Sequence, residues 1–211
     1  MVNNIAIFST AFFPPISYLA EVKRYKSIGI ERFETFEKQT YRNRTYVLSA
    51  NGILPLMIPL KRSYNSLSQQ TKDIEICYSE NWNVKHWRTI CSAYNKSPFF
   101  EYYASEVKTF FSGNYLKLLD LNNDILFFCK KHFRIETEIF QTDIYKREYE
   151  KDYRTMFKVQ QQGKENGYFP TYYQCFSDKL GFTQNLSCLD LLFCLGKESE
   201  KYLDMVNEFR N

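Results

Sequence analysis

The sequence predicts an α/β (or α+β) protein. An N-terminal βαβ unit and a β-hairpin are expected to form a mixed sheet, with a helical C-terminal half packed on it. Three observations carry this expectation. Residues 4–37 run apolar segment, proline break, helical spacing and second extended segment, the order of a βαβ unit whose strands are normally parallel. Two β-prone runs flank Asn51-Gly52, the strongest short-range hairpin signal. From Glu80 onward the apolar period changes to that of a helix.

The first strand is the apolar run Ile5 to Phe8, closed by Pro14-Pro15. Ile16, Leu19, Ala20, Lys23 and Tyr25 then follow at near-helical spacing, Gly29 reads as the stop, and a second strand is expected near Arg32 to Glu37. The loop from Ser9 to Pro15 would lie at the carboxyl edge of the first strand, where open α/β sheets place ligands. The hairpin arms are "YRNRTYVLS" and "ILPLMIPL". Pro55 and Pro59 cannot donate ladder hydrogen bonds, so the second arm is an edge strand.

Arg62 to Lys72 reads as a polar loop and "DIEICY" as a short strand. Trp82, His86, Ile90 and Ala93 share a helix face, with Trp87, Cys91 and Tyr94 on the adjoining stripe, and Ser97-Pro98 ends that helix. Further helices are expected over "FFEYYASEVKTFF" and Asn122 to Phe133, then a strand near Ile139 to Thr142 and a long loop over 143–174. Ser187 with Asp190 three residues on resembles a capping box, Gly196 suits a helix C-terminus, and Ser199 to Phe209 makes a last amphipathic helix. One domain is expected over 1–211, sheet-rich in 1–78 and mostly helical in 79–211.

A net charge of +4 in 211 residues supplies no domain-wide field for nucleic acid, so no nucleic-acid partner is expected. No apolar run approaches the roughly 18 residues of a membrane span and no signal-peptide order opens the chain, which makes the cytoplasm the expected compartment. The six cysteines form no C-x-x-C and none stands at metal-ligand spacing from a histidine, so reduced thiols, no metal and no cofactor are expected. Nineteen Phe and 17 Tyr make the chain aromatic-rich, and each buried phenol needs a partner for its hydroxyl. Standard P-loop, dinucleotide, serine-hydrolase and zinc-peptidase motifs are missing.

The stretch "KQTYRNRTYVLSANG" carries the most pointed chemistry. On a continuous strand Thr40, Arg42 and Arg44 would face one way, with the two guanidiniums about 6 to 7 Å apart, a spacing that grips phosphate or carboxylate. The competing expectation is that these arginines pair with Glu34 and Glu37 or only block the sheet edge. His86 is a candidate acid or base, and equally a packed helix residue with its nitrogens satisfied. Glu101, flanked by aromatics, is a second candidate carboxyl, and Asp178 a turn former or base. His132 near a helix end suits the helix dipole.

With "AFFPPISYLA", "KQTYRNRTYVLSANGILPLMIP", "NWNVKHWRTICSAYNKSPFFEYY", "DYR" and "FSDKLGFTQNLSCLDLLFCLG" in this order, the chain resembles the WbqC-like family in its Bacteroides-type form. That family is named for members in surface-polysaccharide (O-antigen) gene clusters, and the resemblance implies work on glycan precursors. Carried over position by position, it marks Tyr41, Arg42, Asn43, Arg44, Asn51, Gly52, Trp82, His86, Trp87 and Tyr94. Many members open with "HQPxYxPW"; here "STAFFPPI" stands at that place, without the leading histidine. The order of the first βαβ unit is similar to that of nucleotidylyltransferases, but their histidine-rich phosphate loop has no counterpart between Ser9 and Tyr18.

The expected function is a transferase acting on an activated, phosphate-bearing small molecule. Its catalytic residues would be His86 and Glu101, and its binding residues Tyr41, Arg42, Asn43, Arg44, Asn51, Trp82, Trp87 and Tyr94. The alternative is a non-catalytic binding or scaffolding protein that holds a protein partner on an aromatic-rich surface. The loops over 62–72 and 155–170 are long and polar enough to act as lids.

Overall fold

The computed structural model describes residues 5–61, 69–113, 115–157, 159 and 169–209. Much of the two expected lid loops, 62–68 and 160–168, lies outside the described residues. Strand β1 (Ile5–Ser9) leads through a buried loop into helix α1 (Ile16–Lys23) and strand β2 (Ser27–Glu31). The two strands pair in parallel, and β5 (Glu138–Gln141) joins β2 from the other side, also in parallel. Backbone from Lys151 to Tyr153 closes the outer edge of β1, the Ile7 N–H donating to the Lys151 carbonyl at 2.9 Å.

The second strand therefore lies before Arg32 to Glu37, where the sequence placed it. Gly29 is its middle residue and not a helix stop. A Cβ there would stand 2.7 Å from Ile7 Cδ1 and 3.0 Å from the Phe140 ring, so glycine lets the flanking side chains close over the strand. Ile28 and Ile30 fill the opposite, fully buried face.

Strands β3 (Arg44–Ser49) and β4 (Gly52–Met57) form the expected hairpin, with Ser49 opposite Gly52 and Arg44 opposite Met57. The hairpin is a separate two-stranded sheet and not part of a mixed one. Residues 151–153 already occupy the edge of β1, so the hairpin docks through other bonds: Ser187 N–H to the Tyr46 carbonyl at 2.9 Å and Thr45 Oγ1 to the Phe13 carbonyl at 2.7 Å. Pro55 sits on the outer arm, beside exposed Leu54.

Helices α2 (Trp82–Tyr94), α3 (Phe100–Thr109) and α4 (Leu118–His132) follow, α4 starting one turn earlier than its apolar period suggests. The "DIEICY" stretch forms no regular strand: Asp73 ends a 3-10 turn, Thr71–Asp73, and isolated bridges join Leu60 to Ile76 and Glu75 to Lys117. Helices α5 (Ser177–Leu180), α6 (Cys188–Leu195) and α7 (Ser199–Glu208) complete the chain. Phe12 and Phe13, from the loop after β1, are fully buried. Phe13 stacks on Phe111 with ring centroids 5.8 Å apart, and Phe12 meets Trp82 edge-on. Each such ring contributes about 1.5–3 kcal/mol by leaving water, so this loop is core.

Candidate functional site

The carboxyl edge of β1 holds a buried ion pair. Arg42 donates from Nε to Glu34 Oε1 at 2.8 Å and from Nη2 to Glu34 Oε2 at 2.9 Å. The same Nη2 reaches Ser9 Oγ at 2.8 Å, Nη1 reaches Thr40 Oγ1 at 3.2 Å, and Glu37 lies 3.6 Å from Nη1. Both partners are almost wholly buried, Arg42 at 4% and Glu34 at 6% exposure. The adjoining cavity measures about 20 Å³, room for little more than a water molecule.

Arg42 lies in the turn before β3, so strand alternation does not govern it and the two arginines take different partners. Arg44 opens β3 and donates from Nη1 to Tyr46 Oη at 3.4 Å. Tyr41 is buried with its ring edge-on to Tyr46, and Asn43 donates to the Ile58 carbonyl at 3.1 Å. This stretch holds the hairpin against the sheet.

A cleft of about 490 Å³ opens instead between the hairpin turn, one face of α2 and the segment before α5. Thr89, Ser92, Ala93 and Lys96 recur at i, i+3, i+4 and i+7 along α2 and its end, and so share one wall. Ser49, Asn51 and Leu54 form the facing wall, and Cys175 and Phe176 close one side. Lys179 donates to the Ala50 carbonyl at 3.0 Å and ties α5 to the hairpin turn. The volume is that of a small-molecule site, and the lining offers hydroxyls, amides, one cation and one aromatic ring.

A buried polar hub lies next to Cys175. Asp190 on α6 is fully buried, and its Oδ2 accepts from Tyr172 Oη at 2.5 Å and from Gln174 Nε2 at 2.9 Å. Burial raises its carboxyl above the ordinary range, and bonds from Tyr172, Gln174 and Tyr94 oppose that rise. Gln174 also binds Thr183 through both ends of its amide, to the carbonyl at 2.9 Å and from the N–H at 2.8 Å. Tyr94 is buried, its phenol raised by the same desolvation, and it accepts from the Leu48 N–H at 3.3 Å. Asp190 is thus not the partner of a capping box: Ser187 caps α6 alone, accepting from the Leu189 N–H at 3.3 Å.

The model of the WbqC-like protein family matches residues 10–171. The chain belongs to the WbqC-like protein family. No curated protein and no solved structure matches it significantly. In this WbqC-like protein the matched span holds the Arg42–Glu34 pair and the hairpin and α2 walls of the cleft, while Cys175, Phe176 and Asp190 lie beyond it.

Of the residues expected to form a site in this WbqC-like protein, Asn51 alone lines the cleft. His86 is half-buried on α2, its ring 5.3 Å from that of Trp82. Burial, helped by Lys85, pushes its pKa down to about 4, so the imidazole is neutral at pH 7. His86 Nδ1 and Trp82 Nε1 are both buried without a hydrogen-bond partner among the described residues. Trp87 stacks on Phe100 with centroids 6.2 Å apart. Glu101 is exposed in the first turn of α3, where a carboxylate complements the helix dipole, and Asp178 is exposed in α5. His132 contacts Glu106 at 2.8 Å between α4 and α3.

Sequence reasoning passed over the cleft because it is assembled from three distant segments. Asp190 did carry a signal, a lone charge inside the apolar run "LDLLFCL".

Proposed function

We propose that the protein is a transferase acting on an activated, phosphate-bearing precursor in surface-glycan assembly, and that the cleft between the hairpin and α2 is its substrate site. The observation that carries this reading is the cleft itself. Ser49, Asn51, Thr89, Ser92 and Asn95 provide the polar groups a polyhydroxylated ligand requires, and Phe176 offers a ring for an apolar sugar face. Lys96 in the lining and Lys179 at its border supply positive charge for a phosphate. Membership of the WbqC-like family fits a role in polysaccharide biosynthesis.

The test is thermal shift with nucleotide sugars, nucleotides, free sugars and acyl-carrier mimics, on the wild type and on Ser92→Trp, whose exposed position fills the cleft without touching the core. A ligand at a hundredfold excess over Kd stabilises the folded state by about 2.7 kcal/mol, several degrees of melting temperature. A phosphate-bearing class that shifts the wild type and not Ser92→Trp supports the site. An equal shift in both moves the ligand elsewhere, and no shift with any class removes the reading. Release of free nucleotide from the binding class, followed by chromatography with sugar acceptors, then tests transfer.

One observation favours the non-catalytic alternative. Ile53 and Met57 share one face of β4 and are 41% and 46% exposed, an apolar strip on an edge strand that a protein partner would cover. Crosslinking through a cysteine placed at Ile53, with no ligand binding in the thermal assay, is the pattern that reading requires.

A further inference from the structure

One wall of the cleft is attached differently from the other two. The hairpin turn and α2 belong to packed elements, whereas residues 175–181 leave the body of the protein and return to it at a single neck. Gln174, fully buried, closes that neck with its side-chain amide: Nε2 donates to the Thr183 carbonyl at 2.9 Å, and Oε1 accepts from the Thr183 N–H at 2.8 Å. Beside it the Tyr172 ring meets the Phe182 ring edge-on, with centroids 5.3 Å apart. Between these closures lie Cys175 to Gly181, which carry α5, and no residue of α5 is buried. We propose that residues 175–181 are a lid over the cleft, hinged at the Gln174–Thr183 neck and latched to the hairpin turn by Lys179.

The bonds of the segment divide as a hinged flap requires. Inside it, Ser177 donates to the Gln174 carbonyl from its N–H at 3.0 Å and from Oγ at 2.9 Å. The Leu180 and Gly181 N–H groups donate to the Phe176 and Ser177 carbonyls, both at 2.9 Å. The flap therefore moves as one piece. Among the described residues, α5 makes one hydrogen bond beyond residues 174–181, from Lys179 Nζ to the Ala50 carbonyl at 3.0 Å. That bond is exposed to water, so it is the weakest attachment of the flap. Gly181, at φ +72°, makes the sharp turn by which the flap rejoins Phe182.

Opening at the neck withdraws Cys175 and Phe176 from the cleft lining and admits a ligand; closing rebuilds that wall around it. The lid rests on the cleft being the ligand site, and it is a different segment from the two long loops that the sequence offers as lids.

Hydrogen exchange by NMR on the ligand-free protein tests the hinge without any substrate. Relative to their intrinsic rates, the Leu180 and Gly181 amides are expected to exchange about tenfold or more faster than the Thr183 amide, which belongs to the neck. Lys179→Ala trims an exposed side chain and removes the latch. The flap amides should then exchange about fivefold faster, the change that one lost hydrogen bond brings, with Thr183 unaltered. Labelling of Cys175 by N-ethylmaleimide, at the foot of the flap, should rise by a similar factor, while the buried thiols of Cys129 and Cys188 stay unlabelled. Thr183 exchanging together with Leu180, flap amides indifferent to Lys179→Ala, or Cys129 and Cys188 labelling in step with Cys175 overturns the lid. The cleft is then a fixed pocket, which the thermal-shift assay still tests by itself.

Discussion

Arg42 and Glu34 are joined by two parallel hydrogen bonds, Nε to Oε1 at 2.8 Å and Nη2 to Oε2 at 2.9 Å, in an environment almost closed to water. An arginine spent this way is an internal counter-charge. Removing one partner leaves the other as an unpaired buried charge, which costs about 3–5 kcal/mol, whereas removing both exchanges the pair for apolar packing. Arg42→Met is therefore expected to lose about that much in urea unfolding, and Arg42→Met with Glu34→Leu to regain most of it. A loss below about 1 kcal/mol in the single variant would mean that the guanidinium is free for a ligand.

Asp190 gives a pH prediction. Its folded carboxyl is raised by burial, so the folded state holds the proton more tightly than the unfolded chain. Its contribution to stability is complete below the ordinary carboxyl range and is lost as pH rises through the raised folded value. Asp190→Asn keeps an oxygen for Tyr172 and Gln174 but has no proton to lose. The stability of Asp190→Asn minus that of the wild type should therefore increase from pH 4 to pH 7 in paired urea titrations. A flat or falling difference contradicts the raised carboxyl.

Gly196 ends α6 at φ +56°, and a Cβ there would come within 2.6 Å of the Phe99 ring. Backbone strain and the clash act together, so Gly196→Ala should cost about 1–3 kcal/mol. Phe99→Ala removes the clash and leaves the strain. The double variant should lose less than the sum of the two single ones, which a denaturant double-mutant cycle reads directly.

The parts legible in the sequence are those set by local pattern. The hairpin followed from Asn51-Gly52, and α2 from the spacing of Trp82, His86, Ile90 and Ala93, because turn chemistry and helical period act over a few residues. Gly29 misled because its role is set by Ile7 and Phe140 on neighbouring strands, not by the residues beside it. Arg42 left two readings open in the sequence, a ligand clamp and a pair with Glu34 or Glu37; strand alternation stops two residues short of it, at Arg44, and its guanidinium takes Glu34. Cys175, Ser92 and Asn51 are distant in the chain and meet only across the cleft, so no periodicity joins them.

His86 decides what acid–base chemistry α2 can perform. Its imidazole is held down to about 4, first by burial and then by Lys85, and its Nδ1 has no partner among the described residues. A neutral imidazole at pH 7 can accept a proton but has none to spare as a cation. The folded state also resists protonating it, so this group's contribution to stability is present above the ordinary histidine range and is lost as pH falls through the folded value. Two histidines make the ring-proton NMR spectrum easy to assign with one His86→Gln variant. The His86 C2–H signal should titrate near pH 4, and any turnover that depends on His86 as a base should keep its rate from pH 7 down to about pH 5. A midpoint above 6 would show a solvated or ion-paired ring and return His86 to the candidates for a general acid.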